Sequence, residues 1–478
     1  MDFSENAIPQ NKMATTQVNK LLLAMGLPMI VSMMLQAFYN IVDSYFVSQM
    51  EDTANYGSAA ITSNAIASMG EYGVNALTLA FPIQMLMIAI GVGTGVGINS
   101  LLSRSLGEGN REKASKIAGN AIFLGLCTYA VFLLVGIFLV PIYLRSQTTD
   151  SVVMQMGTEY LRICTILSFG AILSMIYEKL LQGTGRTIPA TIAQIAGALA
   201  NIILDPIMIF GLFGCPQMGI AGAAYATVIG QVLTLVLNMF FHHQFNKDVD
   251  ASLHYIKPDR AFIGEIYKIG LPAILMQALM SFMTYGLNII LGMIGSSAVT
   301  AYGMYYKIQQ FVFFAAFGMN NAIIPVVAFN YGMKDKRRMN AGIKYGMLYT
   351  LIIMAAGAVL LQGFARPLMG AFSLSANTNG LCVLAIRIIT LGYLFAGANI
   401  AFQGIFQAFG SGVRSLLVSM IRLIVVVFPV ALWFTTFQNA ERIVWWAFPI
   451  AEACALVLAG LLMVMIAKEQ HLSTKEKP

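Results

Sequence analysis

Long apolar runs dominate this chain and constrain its fold more than any single motif. Twelve of them follow one another, at 18–48, 73–103, 117–143, 154–181, 188–213, 218–241, 269–293, 297–330, 345–365, 380–411, 415–438 and 443–467. A helix crossing a bilayer takes about 20 apolar residues. Backbone groups in lipid have no water to bond, so a spanning segment must be a helix or part of a closed barrel. These runs are continuous rather than alternating, which excludes barrel strands. The expectation is an all-α membrane protein with twelve transmembrane helices. Composition agrees. Only 10% of the 478 residues are charged and 58% are hydrophobic, whereas soluble domains carry about 25% charged residues. Disorder, a disulfide scaffold and an ordinary soluble enzyme are therefore disfavoured.

Lys and Arg placement predicts orientation. With both termini in the cytoplasm, 21 of the 28 Lys and Arg fall in the termini and the even-numbered connections. Only Arg145, Arg366 and Arg442 fall in the odd-numbered ones. The net charge of +7 is thus read as a topology signal, and no nucleic-acid partner is expected. Met1 to Gln17 is polar and lacks the apolar core of a cleavable signal. The five cysteines are scattered, with no metal-type pair, and are read as packing.

The halves repeat. Gly26-Leu27-Pro28 returns as Gly270-Leu271-Pro272, and Gln182 with Gly185 returns as Gln407 with Gly410. The first offset is 244 residues and the second 225, which places an insertion in the first half, most naturally at 51–73. Each repeat holds six spans, an even number, so the two copies point the same way across the membrane, as in parallel-repeat transporters. The expected domains are an N-terminal segment (1–17), an N-lobe (18–242), a cytoplasmic linker (243–267), a C-lobe (268–467) and a tail (468–478). This organisation predicts a transporter rather than an enzyme. No Walker motif supports ATP-driven transport by the chain itself. The glycines at 91–97 lie inside an apolar span with no preceding strand, and are read as close helix packing rather than a nucleotide loop.

Ionisable groups inside a membrane are expensive and are functional candidates by default. Asp43 and Asp205 lie on spans that both run outward, roughly 8–12 Å below the outer end at about 1.5 Å per residue. Thr227, on the next span, reaches similar depth. Asn40 precedes Asp43 by three residues and Asn201 precedes Asp205 by four, so each amide shares a helix face with its acid. Pro206 has no N–H and frees the carbonyl of Ile202. Two carboxylates, two amides, a hydroxyl and a loose carbonyl form a plausible site for a proton or a sodium ion. Desolvation raises the pKa of a buried carboxylate, which lets it load a proton on one side and release it on the other. The second half differs. Leu287 stands where the duplication places Asp43, and Lys307, Arg387, Arg422 and Glu452 are its interior charges, read as mutually paired. Coupling chemistry is therefore expected in the first lobe.

At these residues the sequence resembles the multidrug and toxic compound extrusion family, within the larger group that includes lipid-linked oligosaccharide flippases. The resemblance runs from Gly26 to about Ala467. It is carried by YNIVDSYFV (Tyr39 to Val47), LQGTGRTIP (Leu181 to Pro189), NIILDP (Asn201 to Pro206), GIAGAAYAT (Gly219 to Thr227) and FQAFGSGVRS (Phe406 to Ser415). It implies two six-helix lobes in a V around a cleft, and export of amphipathic, often cationic compounds against an inward proton or sodium gradient. It implies a first-lobe cation site at Asp43, Asn201, Asp205 and Thr227, the same residues that would hold Na+. One branch of the family also uses acids on the seventh and tenth spans. Neither span has one here, which favours protons.

The expectation is a proton- or sodium-coupled antiporter of a bacterial cytoplasmic membrane, monomeric and without cofactors, whose partners are amphipathic small molecules and the bilayer and whose expression confers drug resistance. Cation loading is expected to rearrange the first helix about Pro28, with Pro206 as a second hinge. Met33, Gln36 and Tyr39 form a stripe expected to line the cleft. The alternative is a flippase for a lipid-linked or anionic amphipathic substrate, which would want a basic cleft to hold phosphates.

Overall fold

The computed structural model describes residues 11–50, 69–250, 253–370 and 375–475. Among them every regular element is helical. Twelve spans follow in order. These are α1 (Val18–Ser48), α2 (Met69–Gly107), α3 (Arg111–Gln147), α4 (Ser151–Ile166 with Phe169–Gly183), α5 (Thr187–Phe210) and α6 (Ile220–Phe245). The second half adds α7 (Arg260–Ile294), α8 (Ser296–Gly332), α9 (Lys336–Gly370), α10 (Ala376–Ala408), α11 (Gly412–Thr435) and α12 (Ala440–Glu469). Each expected run has its helix. Large apolar side chains stand outward along α3 (Val131, Phe138, Ile142), α9 (Ile352, Val359) and α12 (Val457, Leu461). In water so much exposed apolar surface would drive association; in a bilayer it faces hydrocarbon.

Several spans depart from regular α-helix. α4 bends by 44° between Ile166 and Phe169. There the Thr165 hydroxyl donates to the Leu161 carbonyl at 2.6 Å, and this back-bonding bends helices. α3 and α11 each contain a π-helical turn, at Val135–Leu139 and Ile421–Val425. Pro28 and Pro206 both lie inside continuous helices.

The duplication is visible in the turns. After α4, Gly185 adopts φ +83° and the Arg186 N–H returns to the Leu181 carbonyl at 2.8 Å. After α10, Gly410 adopts φ +77° and the Ser411 N–H returns to the Phe406 carbonyl at 2.8 Å. Both are helix C-caps in the left-handed region, where a Cβ is penalised and glycine is favoured. The expected insertion at 51–73 lies largely outside the described residues.

The chain forms two compact units. One comprises 31–106 and 110–264, the other 1–30, 107–109 and 265–478. The division falls inside α1, between Ile30 and Val31. In the first unit an apolar core gathers Tyr72, Ala76, Met156, Tyr160, Ile209 and Ile220. The connection after α6 is tied back to α3 of the same unit. Ser115 Oγ accepts from the Asp250 N–H at 2.9 Å and Asn120 Oδ1 from the Asp259 N–H at 2.8 Å. In the second unit the larger core includes Leu287, Tyr302, Tyr305, Tyr393, Val427 and Trp445. There Arg338 donates to the carbonyls of Met13 and Thr16, at 2.8 and 2.7 Å, and fastens the segment before α1.

Candidate cation-coupling site

The site is built on the crossing of α5 and α6 in the first unit. A Cβ on Gly197 would meet Thr234 Oγ1 at 1.9 Å and the Gly230 carbonyl oxygen at 2.5 Å. A Cβ on Gly230 would meet the Gly197 carbonyl oxygen at 2.6 Å. Only two glycines allow this approach, the small-residue device of membrane helix pairs. One turn beyond Gly197, the approach sets Asn201 against α6. Its Nδ2 donates to Thr227 Oγ1 at 3.3 Å and, along its own helix, to Asp205 Oδ1 at 3.2 Å. Asn201 is 3% exposed and Asp205 is fully buried.

Asp43 comes from α1 and lies within electrostatic reach of Asp205. The structure thus brings together Asp43, Asn201, Asp205 and Thr227, from three helices. Three of their oxygens, Asp43 Oδ1, Asn201 Oδ1 and Asp205 Oδ2, are sealed from solvent and accept no hydrogen bond among the described residues. Leaving a buried polar atom unsatisfied costs about 1–3 kcal/mol, and more for a charged group. Such a cluster suits a group that arrives with positive charge. Oxygen donors alone suit a hard cation or a proton and do not suit zinc or copper. No group of three His, Cys, Asp or Glu with metal-holding geometry occurs among the described residues.

Three neighbours escaped the sequence reading. Tyr160 and Cys164, one turn apart on α4, are buried within electrostatic reach of Asp43. Gln84 on α2 donates to the Tyr160 hydroxyl at 3.2 Å. The one available signal was the i, i+4 spacing of Tyr160 and Cys164, in a span that also carries Glu159 and Arg162. Met33 and Gln36 are half-buried on α1, while the side chains of Tyr39 and Asn40 lie outside the described residues. In the second unit the expected pairing holds for one couple. Arg422 meets Glu452 at 2.6 Å, while Lys307 and Arg387 are exposed. That corrects the reading of all four as one paired set: Lys307 on α8 and Arg387 on α10 are exposed rather than packed against Glu452.

The model of the MatE family matches residues 53–207 and 272–433, one stretch in each half. The chain belongs to the MatE family. Among curated relatives, the multidrug export protein MepA of Staphylococcus saprophyticus subsp. saprophyticus is 26% identical over 95% of both chains. MepA of Staphylococcus aureus is 24% identical over 96% of both. Solved structures share the fold. A crystal structure of MATE in complex with MaL6 superposes with a TM-score of 0.85 at 24% identity, covering 96% of this chain and 99% of that one. An outward-facing MATE family multidrug resistance transporter gives 0.85 at 24% identity, covering 97% and 99%. A transporter of the larger MOP superfamily from Pyrococcus furiosus gives 0.85 at 24% identity, covering 99% and 100%.

Proposed function

We propose that this MatE-family chain is a secondary multidrug exporter of a bacterial cytoplasmic membrane. In this reading it exchanges amphipathic, mainly cationic compounds for inward-moving H+ or Na+. The observation that carries the proposal is the set of unpartnered oxygens at Asp43, Asn201 and Asp205. Two carboxylates within electrostatic reach of each other, with no ion-pair partner among the described residues, are costly while ionised. A proton removes that charge outright, and a sodium ion balances it through the same oxygens. The ionised pair attracts a cationic substrate, and loading the coupling ion removes the attraction. Exchange follows because the two cations compete for one charge. The relatives named as multidrug export proteins support export of several drugs. The flippase reading wants a basic cleft and has less support, because the buried Arg422 faces its own acid.

The test is ethidium efflux from cells producing wild type, Asp43→Asn or Asp205→Asn, with pH and sodium gradients imposed separately. Efflux driven by one gradient, and reduced at least tenfold in both variants at equal protein level, is expected. The effective gradient identifies the ion. Wild-type protein in the membrane with no efflux under either gradient refutes exchange. Undiminished efflux in both variants refutes the assignment of the site.

A further inference from the structure

The duplication leaves a face of α9 open where the first copy has it covered. In the first unit the connection after α6 lies along α3 at Ser115, Gly119 and Asn120. Ser115 and Asn120 accept from the N–H groups of Asp250 and Asp259. A Cβ on Gly119 would meet the Tyr255 carbonyl oxygen at 1.9 Å. All three residues are buried. At the offset of 225 residues they correspond to Asn340, Lys344 and Tyr345 on α9. The helix starts correspond too, Arg111 to Lys336. On α9, Asn340 and Lys344 are exposed, and Tyr345 stacks with Tyr349 at 6.1 Å.

Charge is what the second copy adds here. Gly109, in the turn before α3, takes φ +73°, a conformation that suits glycine. Its counterpart in the turn before α9 is Lys334, held at φ +59° against the steric cost of a Cβ. Glu112 in the first turn of α3 suits the positive end of the helix dipole, and its counterpart Arg337 opposes it. Backbone conformation and dipole both favour other residues, yet the chain places cations there. Lys334, Arg337 and Lys344 are exposed, and none has an ion-pair partner among the described residues. Arg338 differs, because it turns to the carbonyls of Met13 and Thr16. Beyond the cations, successive steps of four residues from Lys344 bring Leu348 and Ile352 to the same side of α9, 44% and 54% exposed.

A face with cations at the membrane edge and apolar carbon deeper in is complementary to a phospholipid of net negative charge. A guanidinium fork grips phosphate oxygens through two parallel bonds, and lysines act as point charges. Tyrosine rings suit the same interfacial level. We propose that an anionic phospholipid docks on this face of α9, with its headgroup on Lys334, Arg337 and Lys344 and an acyl chain along Leu348 and Ile352. The lipid is a bound partner rather than cargo. On the second copy it takes the place that the connection takes on the first. The inference stands apart from the export reading.

Native mass spectrometry of the purified full-length protein in detergent tests it, by titration with palmitoyl-oleoyl phosphatidylglycerol or the matching phosphatidylcholine. Wild type is expected to bind one phosphatidylglycerol saturably, at a concentration at least tenfold below that for phosphatidylcholine. Lys334→Gly removes a cation and relieves the left-handed backbone. It should weaken phosphatidylglycerol binding at least threefold without lowering the unfolding midpoint. Lys334→Gly with Arg337→Gln and Lys344→Gln should abolish the preference. The control removes three exposed cations elsewhere, Lys257→Gln with Arg260→Gln and Lys268→Gln, and should change binding less than twofold. Excess sn-glycerol 1-phosphate should not displace the lipid. Equal binding of the two lipids by wild type, unchanged preference in the triple variant, equal loss in the control or displacement by glycerol phosphate overturns the proposal. Equal loss in the control would mean diffuse charge, and displacement would mean a free-phosphate site. Should the triple variant not fold, Lys334→Gly decides alone, and unchanged phosphatidylglycerol binding overturns the proposal.

Discussion

Asp205 in α5 and Glu452 in α12 are both acids placed where lipid-spanning helices pack, yet their surroundings are opposite. Asp205 has an amide neighbour, a second acid within electrostatic reach and no ion-pair partner among the described residues. Glu452 has a guanidinium at 2.6 Å and an amide at 2.8 Å, and both its oxygens are engaged. The duplication makes the contrast sharper. At the offset of 225 residues shared by Gln182 and Gln407, Glu452 occupies the position of Thr227. One copy places a hydroxyl there that accepts from the Asn201 amide beside Asp205; the other places the acid itself and adds an arginine from the adjacent helix. The proposed exchange needs the first charge to change during a cycle, and it has no ion-pair partner among the described residues. The second charge is neutralised by Arg422.

Stability measurements can break this comparison. The largest effect is expected from Glu452→Leu alone, which strands Arg422 in a buried position. Removing one partner of a buried ion pair costs about 3–5 kcal/mol. The unfolding midpoint in detergent should fall steeply. Arg422→Met combined with Glu452→Leu should recover most of the loss, because replacing both charges by apolar groups is often neutral or stabilising. Asp205→Asn should leave the midpoint unchanged or raised, since it removes a charge that has no ion-pair partner among the described residues. A drop for Asp205→Asn as large as that for Glu452→Leu would mean that Asp205 is a structural acid, and the contrast would collapse.

A second effect, of middle size, concerns how the first site is positioned. Gly197→Val places branched carbon where Thr234 Oγ1 and the Gly230 carbonyl already stand. Overpacking of this kind costs about 1–3 kcal/mol. It should also push α5 from α6, separate Asn201 from Thr227 and lower efflux severalfold. Gly363→Val in α9, where a Cβ meets nothing within 4 Å, is the control and should change neither.

The spans were legible because hydropathy depends on local sequence. Asp43 and Asp205 were legible for a related reason: an acid in an apolar run is conspicuous without any knowledge of packing. Thr227 followed from depth along a helix. Tyr160, Cys164 and Gln84 did not, since they arrive from α2 and α4 and only tertiary packing turns them toward Asp43. The second unit shows the same limit. That interior charges pair was readable from cost. That Arg422 pairs with Glu452, while Arg387 and Lys307 are exposed, depends on helix rotation. The π-helical turn at Ile421–Val425 shifts that rotation within α11, and no periodicity in the sequence announces it.

The smallest effect tests whether Thr227 belongs to the coupling site or merely lies beside it. Thr227→Val keeps the shape and removes the acceptor for Asn201 Nδ2, a contact of 3.3 Å. The net loss for one such hydrogen bond is about 0.5–1.5 kcal/mol, so the unfolding midpoint should move only slightly. The transport consequence is more informative than the stability. If a sodium ion uses the hydroxyl as an oxygen ligand, Thr227→Val should raise the sodium concentration needed for half-maximal efflux severalfold and leave a proton-driven rate nearly intact. If protons alone drive export, the same variant should reduce efflux no more than about threefold under a pH gradient, because Asn201 retains its bond to Asp205 at 3.2 Å. A Thr227→Ser variant, which restores the hydroxyl, should return either profile to that of wild type. Failure of serine to do so would assign Thr227 to the packing of α5 on α6. The coupling site would then be the two acids and one amide alone, a set with no counterpart at Glu452 in the second unit.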